Sequence, residues 1–159
     1  MRKLELKDIV GYLPYDLNIV IGGSIYIVTN ISIEASCVIY TDRYRTYSDC
    51  ICIQDVKPIL RPMSDISKEI TVKGYNEDKP FIPIIKIAEF CNPHMMGWKI
   101  DGKGRAYTRD NGWTEWVSPE QVKIATFDIF DLLNKWHFDY RGLIEEGLAV
   151  DINKSKLHE

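Results

Sequence analysis

The stretch that decides the fold is Leu17–Ile53, "LNIVIGGSIYIVTNISIEASCVIYTDRYRTYSDCICI". Its apolar residues recur with a period of two: Ile25, Ile27, Ile31 and Ile33 alternate with Tyr26, Val28 and Ser32, and β-branched residues dominate, the pattern of half-buried strands. "GGS" at 22–24 reads as a tight turn, and "EAS" and "YSD" read as weaker ones. Together they predict an antiparallel β meander or a small barrel in the N-terminal part. "CICI" closes the stretch, and an extended chain puts Cys50 and Cys52 on one face and Ile51 and Ile53 on the other.

Around this core the periodicity changes. "LELKDIVGYLPY" places Leu6, Ile9, Val10 and Leu13 at helical spacing, with Pro14 set to halt the helix. Downstream, "KPILRPMSDISKEI" holds Lys57 and Arg61 extended before Pro58 and Pro62, and Ser64 is positioned to cap a short helix over 65–70. After the polar loop "GYNEDKP", Phe81, Ile84, Ile85 and Ala88 mark a helix with Pro83 in its first turn, ended by "CNPH". From Thr126 the pattern is helical again, with Ile129, Leu132, Leu133, Trp136 and Tyr140 on one stripe. In "KWHFDYRGLIEEGLAVDIN" Asp139 is placed to cap a second helix over 140–146, and Gly147 fits the left-handed position after its end. Strands cluster early and helices late, so the expected class is α+β, with helices and an inserted three-stranded hairpin sheet following the meander. The expected organisation is one domain over 1–159, with two lobes meeting near 57–63 as the alternative.

That inserted sheet lies in "GWKIDGKGRAYTRDNGWTEWV". Asn111-Gly112 suits the centre of a type I′ hairpin, and Asp101-Gly102-Lys103-Gly104 reads as a second, four-residue turn. Ile100 then opposes Arg105, Trp98 opposes Tyr107 and Tyr107 opposes Trp116. The predicted result is a Trp98–Tyr107–Trp116 ladder, with Arg105 and Arg109 on the same face. Burial of that face is the first expectation, because a three-stranded sheet needs an apolar face covered. If exposed, Trp98, Arg105, Tyr107, Arg109 and Trp116 are the candidate binding residues.

Composition narrows the function classes. The 159-residue chain is 45% hydrophobic and 27% charged, as expected of a globular domain that buries about two thirds of its unfolded surface. Its net charge of −3, from 20 basic and 23 acidic side chains, sets up no general attraction to nucleic acid or anionic membranes. Local charge adds little, with Lys99, Lys103, Arg105 and Arg109 against Asp101 and Asp110 between Trp98 and Trp113. "DRYRTY" at 42–47 reads as a solvated strand face that protects an edge. Cys37, Cys50, Cys52 and Cys91 lack the paired spacing of a zinc site and are expected to be buried reduced thiols, with no metal and no cofactor. No G-x-S-x-G elbow, P-loop, H-E-x-x-H or dinucleotide fingerprint occurs, and His94 and His137 are far apart. Short, interrupted apolar runs predict no membrane span, and the expected location is the cytoplasm.

Three segments, "LKDIVGYLPY", "KPILRPMSDISKEI" and "HFDYRGLIEEGLAVDIN", resemble a family of small uncharacterised proteins encoded in bacterial prophages and other mobile elements. The resemblance implies an intracellular accessory protein of a mobile element and assigns no catalytic residue. The expected function is therefore non-enzymatic binding of a macromolecule, most simply another protein. Single-stranded nucleic-acid binding through the aromatic and basic hairpin sheet is the alternative. A small hydrolase or nuclease without a recognisable motif is the third reading.

Overall fold

A computed structural model describes residues 2–110, 112–122 and 126–155. Asn111, assigned above to the second hairpin turn, lies outside them. Strands β1 (Asn18–Ile21), β2 (Ser24–Ser32), β3 (Cys37–Thr41), β4 (Ser48–Cys52), β5 (Lys57–Leu60), β6 (Lys99–Ile100), β7 (Ala106–Asp110), β8 (Trp113–Val117) and β9 (Val150–Asp151) are joined by helices α1 (Leu6–Ile9), α2 (Pro83–Cys91), α3 (Pro119–Val122) and α4 (Phe127–Lys135). The class is α+β, as expected from the sequence. The chain divides into two compact units, Met1–Pro62 with Leu133–Glu159, and Met63–Leu132.

The first unit is an open six-stranded sheet in the order β4-β3-β2-β1-β5-β9. Strands β1 to β4 form the predicted antiparallel meander, β5 adds antiparallel to β1, and β9 adds parallel to β5. The β1–β2 hairpin turns on Gly22 and Gly23, at φ 57° and 87°, the pair of positive angles that a two-residue hairpin needs and that side chains resist. The isoleucines of β2 do not form one continuous stripe. Register shifts between Val28 and Asn30, and this bulge inverts which side chains face inward. Val28 before it and Ile31 after it both pack on the core, whereas Ile33 is 75% exposed.

That core gathers Ile9, Tyr12, Leu17, Ile19, Val38 and Leu143. Pro14 does not end the first helical segment. A 3-10 helix, Val10–Tyr15, continues through it, since the fixed φ of proline, about −65°, is one that a 3-10 turn adopts. This places Tyr12 inside, where its hydroxyl donates to the Phe138 carbonyl at 2.8 Å. Phe138 bridges in parallel to Arg61: the Arg61 N–H donates to the His137 carbonyl at 2.7 Å, and the Asp139 N–H donates to the Arg61 carbonyl at 2.8 Å.

The predicted helix over 140–146 is absent, and turns occupy that span. Asp139 does act as a cap: its carboxylate accepts from the Leu143 N–H at 2.9 Å and the Ile144 N–H at 2.7 Å. Gly142, at φ 77°, breaks the backbone before a helix can propagate. The turn closes as expected at Gly147, φ 73°, with Leu148 N–H bonded to the Leu143 carbonyl and Gly147 N–H to that of Ile144, the paired bonds of a Schellman motif.

In the second unit the predicted helix over 65–70 shrinks to a 3-10 turn, Met63–Asp65. Ile70 leaves it to pair with Phe81, each N–H donating to the other's carbonyl at 2.9 Å. Helix α2 begins at Pro83 and ends at Cys91, as predicted, and packs on β7 and β8.

Replacing Asp139 with Ala strands the buried Leu143 N–H and the partly buried Ile144 N–H and is expected to lower unfolding free energy by about 1–3 kcal/mol, measured by urea titration. His137, at φ 58°, has a pKa held below its ordinary 6.5 by burial, opposed by a bond its ring donates to the Tyr15 backbone and reinforced by nearby Arg61. The unfolded state therefore binds the proton first, so stability is lost as pH falls from 6.5 towards the folded value. His137→Asn keeps a residue tolerant of that backbone and is expected to flatten the stability profile in this window.

Candidate binding face of the hairpin sheet

The three-stranded sheet, ordered β6-β7-β8, is built around one carboxylate. Asp101 Oδ1 accepts from the Lys103 and Arg105 N–H groups, both at 2.9 Å, while Oδ2 accepts from the Arg105 side chain, at 2.8 Å to Nε and 2.7 Å to the second guanidinium nitrogen. The Gly104 N–H donates to the Asp101 carbonyl and the Asp101 N–H to the Arg105 carbonyl, both at 3.0 Å. Asp101 and Arg105 thus close a three-residue loop whose last member, Gly104, sits at φ 75°, the form in which a turn is followed by a left-handed glycine. A side chain at Gly104 would also meet Ser67, whose Oγ lies 3.0 Å from the position of a Cβ. The Arg105 N–H bond is the chief cause that holds the Asp101 carboxyl below its ordinary range, against a smaller cost of burial.

This loop is one residue shorter than the sequence suggested, and the consequence is large. Ile100 pairs with Ala106 and Lys99 with Tyr107. A slip of one residue turns every side chain of β6 to the other face. Trp98 therefore leaves the predicted ladder and is buried, 7% exposed, on the side of Ala106 and Thr108, with its indole N–H donating to the Met95 carbonyl at 3.2 Å. The second hairpin keeps the predicted register, with Tyr107 opposite Trp116 and Asp110 opposite Trp113.

What remains on the outward face is compact. Tyr107 and Trp116 lie with ring centroids 5.1 Å apart and planes tilted by 31°. The Arg105 guanidinium carbon stands 4.3 Å from the Trp116 centroid, within the range of an attractive cation–π contact. Arg109 shares the face and is exposed, and Lys99 stands opposite Tyr107. Four of the five sequence-predicted residues, Arg105, Tyr107, Arg109 and Trp116, are thus brought together, and Trp98 is not. Trp113, missed from sequence, is 76% exposed beside the hairpin turn. Its position next to Asn111-Gly112 was the available signal, since a strand's first residue past a tight turn has few neighbours to cover it.

Elsewhere the thiols depart from expectation: Cys50, Cys52 and Cys91 are exposed and Cys37 is partly so. Among the described residues β4 is the edge strand of this sheet, so its side chains have neighbours on one flank only. "DRYRTY" is not a strand face. It forms the turn between β3 and β4, in which Asp42 accepts from the Thr46 N–H at 2.7 Å and from the Thr46 hydroxyl, with Arg45 at φ 57°. An apolar hollow of about 270 Å3, bordered by Leu4, Leu6, Ile31, Ile33 and Ile53, has Glu5 as its one ionisable lining residue. Among the described residues no helix is long and apolar enough to cross a membrane, and no group of three His, Cys, Asp or Glu side chains is arranged to hold a metal ion.

With Trp98 and Trp136 at 7% and 1% exposed and Trp116 and Trp113 at 40% and 76%, acrylamide is expected to quench two indole populations differently, and replacing both Trp113 and Trp116 with Phe should remove the accessible one. Because the folded Asp101 pKa lies below 3.8, its clamp contributes fully above that pH and is lost as pH falls through the folded value. Asp101→Asn should weaken the sheet at neutral pH and flatten the acid limb, read by indole fluorescence during acid titration. Comparison with protein-family models, with curated proteins and with solved structures finds no match.

Proposed function

We propose that this chain is a non-enzymatic module that binds a partner protein through the outward face of its hairpin sheet, acting in the cytoplasm as an accessory protein of a mobile element. The location and context rest on the resemblance of its two ends and centre to prophage-encoded proteins. The binding role rests on one observation, the Arg105–Trp116–Tyr107 cluster set on an exposed sheet face.

Trp, Tyr and Arg are the residues that most often dominate protein interfaces, because each offers a large contact area at low entropic cost. Here Arg105 is already ordered by Asp101, so little freedom is lost when a partner arrives. Arg109 and Lys99 supply charge around the aromatic centre, the polar rim of a typical interface. Such a surface fits a partner that presents an apolar side chain flanked by carboxylates.

Single-stranded nucleic acid is the second reading, favoured by the adjacent Tyr107 and Trp116 rings and by those same cations. Against it, Arg105 already covers a face of Trp116, and a stacking base would have to displace the guanidinium from there.

A photo-crosslinking side chain placed at position 114, opposite Arg109 on that face, in the full chain expressed in bacterial cells, distinguishes the two. The expected product is a protein adduct that survives nuclease and is lost in Trp116→Ala, whose truncation should weaken binding by about 2 kcal/mol, roughly thirtyfold. An adduct removed by nuclease, with oligonucleotide binding that falls steeply with salt, would transfer the assignment to nucleic acid. Absence of either adduct would remove the role from this face.

A further inference from the structure

We infer that Cys37 and Cys52 form a dithiol that exchanges with low-molecular-weight disulfides, closing into a cross-strand disulfide at the β4 edge of the six-stranded sheet. This is independent of the hairpin face, since it rests on β3 and β4 alone.

The pairing follows from register. Cys37 on β3 lies directly opposite Cys52 on the edge strand β4. The adjacent opposed residues are joined by the Ile53 N–H donating to the Ser36 carbonyl at 3.1 Å, so Cys37 and Cys52 occupy the alternate, non-hydrogen-bonded position. Opposed Cα atoms stand about 4.5 Å apart there, at the short end of the about 4.4–6.8 Å that disulfides span. No strand has to move. Cys50, opposite Ile39, lies on the same face and shares a thiol hydrogen bond with Cys37. It is the diagonal neighbour, for which Cα separations of about 7–8 Å are usual, beyond the reach of a disulfide without backbone movement.

Access and chemistry agree with the pairing. Cys52 and Cys50 are exposed, and Cys37 is partly so. The proximity of Cys37, ahead of burial and their shared hydrogen bond, pushes the Cys50 thiol up, so Cys50 stays protonated and does not compete as the nucleophile. With no group of three ligands arranged for a metal among the described residues, two-thiol chemistry is what the cluster supports. The Cys52 thiolate attacks one sulfur of the small disulfide, whose S–S bond breaks and releases a thiolate that takes a proton from water. The Cys37 thiolate then attacks the Cys52 sulfur of the mixed disulfide and expels the second small thiolate, which is protonated in turn. Two protein thiols and one small disulfide become one protein disulfide and two small thiols, and excess small thiol reverses the sequence.

The test incubates the folded full chain with graded ratios of oxidised to reduced glutathione, quenches with acid, and maps peptides by mass spectrometry. The expected product is a peptide pair joined through Cys37 and Cys52, reversed by dithiothreitol, and formed also by Cys50→Ser and Cys91→Ser. Cys37→Ser should stop at a glutathione adduct on Cys52, and Cys52→Ser should lose the cross-link. A Cys37–Cys50 link, loss of closure in Cys50→Ser, or a wild-type chain that yields only glutathione adducts or intermolecular dimers would each overturn the assignment. The wild-type map decides the matter even if a variant fails to fold.

Discussion

The parallel bridge between Arg61 and Phe138 is the constraint on which the first unit depends. Its two backbone bonds, from the Arg61 N–H to His137 and from the Asp139 N–H to Arg61, join the end of the N-terminal segment to the start of the returning one. Everything between them, 63–132, is a long loop as far as that unit is concerned. Closing so long a loop has an entropic cost that grows only slowly with its length, but it must still be met at the point of closure. The Tyr12 hydroxyl on Phe138, the Asp139 carboxylate on Leu143 and Ile144, and the β5–β9 pairing all act within a few residues of that point. Within "HFDYRGLIEEGLAVDIN" Asp139 and Asp151 hold backbone N–H groups, while Arg141 stands over the Tyr140 ring and Glu146 pairs with Arg2.

The legible parts of the sequence were those where a local rule has one outcome. Gly22-Gly23 leaves the backbone a single compact hairpin, Pro83 is tolerated only at a helix start, and Gly147 supplies the left-handed residue that closes a turn. Reading failed where two local solutions differ by one residue. In "IDGKGRA" a four-residue turn and a three-residue loop fit the same glycines, and the choice between them falls to the Asp101 carboxylate, which reaches both Lys103 and Arg105 only in the shorter form. That single step moved Trp98 to the buried face. The bulge of β2 did the same to the isoleucine stripe, since nothing in "YIVTNISI" announces an extra residue. The helix expected after Asp139 failed for a related reason, because a capping residue satisfies any run of exposed N–H groups, helical or not.

The two surfaces singled out here differ in the kind of information that exposes them. The hairpin face is assembled from residues close in sequence, so composition and turn chemistry led to four of its members. Cys37 and Cys52 are separated by a whole hairpin and became neighbours only through the register of β3 on β4. Spacing rules for cysteines look for short intervals suited to a metal, and a cross-strand pair has no characteristic interval.

The placement of β9 carries a consequence for biosynthesis. Strand β5 is an interior member of the six-stranded sheet, yet the partner on its far side, Val150–Asp151, is made some ninety residues later. The second unit, by contrast, is contiguous in sequence. A ribosome therefore delivers every residue of Met63–Leu132 while Ile59 and Leu60 still present an unpaired edge. During that interval the nascent meander has to be kept from pairing with other strands, and the segment carrying β9, which emerges only after the whole second unit, is the one that ends its exposure.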